Sequence, residues 1–124
     1  MPDKRDLHNV IDGQLVTARD GATTDLVNPS TGAVFGTAPQ SGPADVDAAF
    51  GAASRAFDGW RDTTPGERMV YLLKMADAIE EHADELVAIE SENTGKPLAL
   101  TKSEEIGPMV DQVRFFAGAS RMLE

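Results

Sequence analysis

The sequence predicts an α/β fold in which β-hairpins come first and about four helices follow. Three observations carry this. Turn signatures punctuate the strand-like stretch from Asn9 to Gln40, apolar residues recur at helical spacing from Ser41 onward, and no central sheet is written into the chain for those helices to pack on.

The first hairpin is read at Asp12-Gly13, flanked by Val10-Ile11 and Leu15-Val16. Glycine supplies the positive φ that a two-residue hairpin turn requires. The second is read at Asn28-Pro29-Ser30-Thr31-Gly32, with Leu26-Val27 and Val34-Phe35 as its arms. Pro29 presets its own φ, the Asn28 side chain can bond the backbone ahead, and Gly32 closes the turn. Residues 1–8 are expected to be a flexible tail.

Val46, Ala49, Phe50, Ala53 and Phe57 form an apolar stripe at helix period, with Pro43 near the start and Gly59-Trp60 at the close. Thr64-Pro65-Gly66-Glu67 is a capping box with proline at the first helical position. Met69, Leu72, Leu73, Ala76 and Ile79 follow as a buried stripe. A break is expected at His82-Ala83, then a shorter helix with Leu86, Val87 and Ile89, stopped by Gly95 and Pro97. A last helix runs from about Ser103 to the end and lines one face with Ile106, Val110, Val113 and Ala117. Gly107-Pro108 should weaken or kink its first turn.

Composition narrows the partners. With 21 acidic and 11 basic residues the formal net charge is −10. Such a surface repels phosphates, so neither nucleic acid nor an anionic membrane is expected as a partner, whereas a cation would be attracted. The chain has no cysteine, which removes disulfides, thiolate chemistry and cysteine-based metal sites. Met1-Pro2-Asp3-Lys4-Arg5-Asp6 leads into no apolar run, and no stretch has the length of a membrane span. The expected location is the cytoplasm.

No catalytic constellation stands out. Gly95-Lys96 has Glu90 where a phosphate-binding loop needs glycine, and neither G-x-G-x-x-G nor G-x-S-x-G occurs. His8 and His82 lack metal-ligand spacing. Of the carboxylate pairs, Asp45/Asp47 and Glu80/Glu81 read as solvated helix faces. Glu105 reads as the start of the last helix, where a carboxylate suits the helix dipole, and it is spaced to share a face with Pro108 and Gln112.

Ile11-Asp12-Gly13, Asn28-Pro29-Ser30-Thr31-Gly32, Trp60, Arg68 and Thr94-Gly95-Lys96-Pro97-Leu98 occur here in the order in which they open the aldehyde dehydrogenases. The sequence resembles that family from about His8 onward. Glu105-Ile106, Val110-Asp111 and Arg114-Phe115-Phe116-Ala117-Gly118-Ala119 look most like the γ-aminobutyraldehyde dehydrogenases, with betaine aldehyde dehydrogenases close behind.

The resemblance implies that residues 9–124 are the N-terminal portion of an NAD-binding domain whose Rossmann-like sheet lies downstream. It also implies that the nucleophilic cysteine, glutamate base, oxyanion asparagine and NAD pocket lie there too. The implied activity is NAD-dependent oxidation of an aminoaldehyde, and full-length homologues are implied to be homo-oligomers. Two sites carry over: Glu105 and Pro108 at a substrate-channel mouth, and a monovalent cation held by the carbonyls of Leu26 and Val27 with Asn93, where the family has an acid. A non-catalytic binding module built on the same pattern is the second reading. On the first, the chain is the front piece of a longer enzyme. The purified 124-residue chain, mixed with NAD and an aminoaldehyde, is then expected to give no rise in NADH absorbance.

Overall fold

The structure, a computed structural model, describes residues 5–122. It divides into two compact units, the first running to Asp62 and the second beginning at Thr63.

The first unit holds five short strands and one long helix among its described residues. The strands are β1 (Arg5–Asp6), β2 (Asn9–Ile11), β3 (Gln14–Val16), β4 (Thr23–Val27) and β5 (Val34–Pro39), followed by α1 (Pro43–Arg61). Both expected hairpins form. β2 and β3 pair antiparallel with Ile11 opposite Gln14. The turn between them takes positive φ at both residues, 54° at Asp12 and 72° at Gly13, which matches the right-handed strand twist.

β4 and β5 pair antiparallel around the Asn28–Gly32 turn. There the Asn28 carbonyl accepts from the Gly32 N–H at 2.8 Å and the Asn28 side chain accepts from the Ser30 N–H at 2.9 Å. This second hairpin does not stand alone as the sequence suggested. β1 adds to β5 in parallel, giving a three-stranded sheet in the order β1-β5-β4. Part of the expected tail is therefore strand, while Met1–Lys4 lie outside the described residues. Gly36 makes the pairing possible, because a Cβ there would fall 2.3 Å from the Arg5 carbonyl oxygen.

Asp45 departs most from expectation. Read as a solvated acid, it is only 8% exposed. It stands at the third position of α1, where the first N–H groups have no partner within the helix. One carboxylate oxygen accepts from the Gly42 N–H at 2.9 Å, and the other accepts from the Arg19 N–H at 2.9 Å. The same side chain thus closes the helix start and fastens the loop that leaves β3.

α1 runs through Gly59-Trp60 to Arg61, whose guanidinium pairs with Asp58 at 3.0 Å and Asp62 at 2.9 Å. Its apolar stripe has the expected period, yet Val46, Phe50, Phe57 and Trp60 are exposed, Phe50 by 71%.

The second unit is helical: α2 (Pro65–Glu81), α3 (Ala83–Thr94), α4 (Leu98–Thr101) and α5 (Gly107–Ala119), with a π-helical turn over Lys102–Ile106 joining the last two. The capping box at α2 forms as read. The Thr64 hydroxyl accepts from the Glu67 N–H at 3.2 Å, and the Glu67 carboxylate accepts from the Thr64 N–H at 2.7 Å. The backbone bond first, and the Thr64 hydroxyl second, hold Glu67 below the usual carboxylate range. With the folded value depressed, this contribution is complete above the ordinary glutamate range and fades as pH falls through the depressed one.

α2 packs on α5. Ala76, Val110 and Ala117 are buried, and Met69, Leu72, Leu73, Ile79, Ile106 and Val113 are half-buried around them. Alanines at the centre let the two backbones approach closely. Arg114 on α5 then clamps Asp77 at 2.9 Å and Glu80 at 2.7 Å on α2, so Glu80 is an ion-pair partner as well as a surface acid. His82 ends α2 and precedes α3, as expected, and Val87 is buried beyond it while Leu86 and Ile89 stay exposed.

The last helix differs from its expected form at both ends. Helical structure starts at Leu98, not near Ser103, and α5 ends at Ala119. Beyond it the Arg121 and Met122 N–H groups donate to Gly118 and Ala119 carbonyls three residues back, while Leu123 and Glu124 lie outside the described residues. The disturbance foreseen at Gly107-Pro108 takes the form of the π-turn just before it. Pro108 has no N–H to give the Glu104 carbonyl, and its ring would crowd that oxygen, so the helix widens there.

Replacing Asp45 with alanine strands two amides and is expected to destabilise the first unit by about 2 kcal/mol. Hydrogen exchange checks this: the Arg19 and Gly42 amides should lose protection together, while those of α2 keep theirs.

Candidate functional site

The residue to which sequence reasoning attached chemistry most firmly is Glu105, and local structure fixes its surroundings from the loop before it. Gly95 ends α3 in the left-handed conformation, φ 79°, with its N–H donating to the Ser91 carbonyl at 2.9 Å. The Ser91 hydroxyl donates to the Lys96 carbonyl at 2.6 Å, and the Lys96 N–H donates to Thr94 Oγ1 at 3.3 Å. Pro97 is extended and α4 starts after it. Thr94-Gly95-Lys96-Pro97 is therefore a pinned corner, and the Lys96 backbone is tied on both sides.

From that corner the Lys96 ammonium reaches two carboxylates. Its Nζ lies 2.5 Å from Glu105 Oε1 in the π-turn and 3.3 Å from Glu90 Oε1 on α3. All three side chains are between 33% and 44% exposed. Hydrogen bonding to Glu105 first, and to Glu90 second, holds Lys96 above the usual lysine range. Lys102 makes a parallel link, its Nζ donating to Asp84 at 2.6 Å. Buried Thr101 donates its hydroxyl to the Pro97 carbonyl at 3.2 Å.

This changes the reading of Glu105 in two respects. It does not begin a helix, because the helical run starts seven residues earlier at Leu98. Its charge is also partly answered by Lys96, a partner that nine residues of separation and an intervening corner hid from any pattern of helical spacing. Pro108 and Gln112 are exposed on α5, with the π-turn breaking the regular period between them and Glu105. Leu26 and Val27 sit at the end of β4 in the first unit, beside a bulge in its pairing with β5. Asn93 is exposed in the last turn of α3, in the second unit.

His8 is exposed, and His82 Nδ1, at the junction of α2 and α3, lies 3.4 Å from Glu85 in the first turn of α3. Among the described residues, no group of three or more histidines, cysteines or acids could hold a metal ion, and no helix is long and apolar enough to cross a membrane.

Strand pairs ahead of a helical unit, which carries a half-exposed carboxylate and a lysine shared with a second acid, define an α/β protein. Residues 16–124 match the Aldehyde dehydrogenase family, and the chain belongs to it. A human 2-aminomuconic semialdehyde dehydrogenase is 38% identical over 114 residues, covering 92% of this chain and 23% of the human protein. Among solved structures, an NAD-dependent aldehyde dehydrogenase from Sinorhizobium meliloti superposes with a TM-score of 0.92 at 38% identity, over 98% of this chain and 25% of that one. A γ-glutamyl-γ-aminobutyraldehyde dehydrogenase from Burkholderia cenocepacia J2315 gives 0.90 at 36%, over 94% and 24%. The chain thus spans about a quarter of the length of the proteins it matches.

The raised value of Lys96 sets a sign for its contribution. The link is complete below the ordinary lysine range and is lost as pH rises through the raised folded value. Urea unfolding at several pH values should show the native chain ahead of a Lys96→Gln variant at neutral pH, with the gap closing only in strong alkali.

Proposed function

We propose that this chain is the opening part of the NAD-binding domain of an NAD-dependent aldehyde dehydrogenase, and that the enzyme oxidises an aminoaldehyde such as 4-aminobutanal to 4-aminobutanoate, a step suited to putrescine breakdown. Family membership and the NAD-dependent solved relative support the reaction class. Glu105 carries the substrate class: it is a half-exposed carboxylate in a strongly acidic chain, and its cationic partner, Lys96, is shared with Glu90. Such a group attracts the ammonium end of a substrate while the aldehyde end reacts elsewhere.

In this reading NAD accepts the hydride, water supplies the carboxylate's second oxygen, and the nucleophile is not drawn from these residues, which contain no cysteine. No residue of this chain is assigned to the cofactor. In this reading Glu105 and Pro108 serve the substrate channel.

The test is steady-state kinetics of the full-length enzyme carrying Glu105→Gln. KM for 4-aminobutanal is expected to rise roughly fivefold, the effect of losing one rim charge pair, with kcat and the constants for butanal unchanged. Equal KM values for the amino substrate in both proteins would overturn the assignment.

A further inference from the structure

In the helical unit, two carboxylates share one ammonium. Lys96 lies between Glu105 and Glu90, and the three formal charges leave the group one negative charge in excess. The lysine backbone is tied by Ser91 and Thr94, whereas its four-carbon stem keeps its rotatable bonds. The ammonium can therefore swing about a fixed base. It rests closer to Glu105, at 2.5 Å, but already reaches Glu90 at 3.3 Å. Since all three side chains remain partly in water, a change of partner carries little desolvation cost.

We propose that Lys96 is a movable counter-ion, which covers Glu105 when no cation is bound and withdraws to Glu90 when a substrate ammonium takes its place. This rests on the aminoaldehyde reading of Glu105. Before binding, one cation is divided between two acids. Afterwards, two cations face two acids, so each charge has its own partner and the excess negative charge is gone. An uncharged aldehyde cannot displace Lys96 and leaves the cluster as it is. Glu90 and Lys96 act through Glu105 and are positioning residues that set selectivity. Lys96 lowers affinity for the ammonium substrate, and Glu90 restores part of it by giving the displaced lysine somewhere to go.

The experiment compares 4-aminobutanal with butanal in the full-length enzyme. Glu90→Gln removes the second resting place and is expected to raise KM for 4-aminobutanal about fivefold. Lys96→Gln uncovers Glu105 and should lower the same KM by a similar factor, while Lys96→Arg, which keeps the charge, should stay close to the native value. In all three, kcat and the butanal constants should hold, which a general structural defect would not allow. Lys96→Gln placed in the Glu105→Gln background should have no further effect on KM.

If Glu105→Gln raises KM for the amino substrate but Glu90→Gln and Lys96→Gln leave it unchanged, the counter-ion role is overturned and the channel role of Glu105 stands. If Glu105→Gln leaves KM unchanged, the aminoaldehyde reading falls, and this inference with it.

Discussion

The start of a helix leaves backbone N–H groups without partners, and both units meet this constraint in the same way, with a carboxylate at the third helical position. The rest of each unit follows from it. In the first, Asp45 reaches past its own helix to the Arg19 amide, so α1 and the loop leaving β3 are held by one side chain. In the second, Thr64 and Glu67 fix the residue at which α2 begins. That choice of start decides which face carries Leu72, Leu73 and Ala76, and hence how α5 lies against it. A shift of one residue would turn the stripe away by about 100°.

What could be read in the sequence was local. Asp12-Gly13, the Asn28–Gly32 turn, the Thr64–Glu67 box and the Gly95 stop each announce themselves within five residues, because each is a backbone demand that few residue types can satisfy. The α2 and α5 stripes were legible for a related reason: burial on one side imposes a period. The missed features are those in which distant residues meet. β1 contributes two residues to β5 from thirty-one positions away, and nothing in Arg5-Asp6 marks them as strand. Asp45 and Asp47 look alike in the sequence, but only Asp45 stands where two amides converge. The Lys96–Glu105 pair crosses a corner and a change of helix type, where counting by threes and fours fails.

The same distinction separates family from chemistry. Short motifs in a fixed order place the chain among the aldehyde dehydrogenases, and the match over residues 16–124 agrees. Order alone is silent on what a carboxylate experiences. The geometry around Glu105 adds that its charge is shared and the corner supplying its partner is tied by the side chains of Ser91 and Thr94. The Thr-Gly-Lys-Pro motif thus works as a mount for a cation, with threonine and glycine shaping the backbone and proline launching the next helix.

The π-turn over Lys102–Ile106 has a consequence for how this segment can vary. A helix with a widened turn accommodates one residue more than a regular helix would over the same span. Side chains before and after it keep their bearings only while that surplus is retained: Thr101 and Val110 are both buried, on opposite sides of the turn. Deleting a single residue from the stretch would restore regular winding and swing one of those two outward. Related chains should therefore tolerate changes of residue type here far more readily than changes of length.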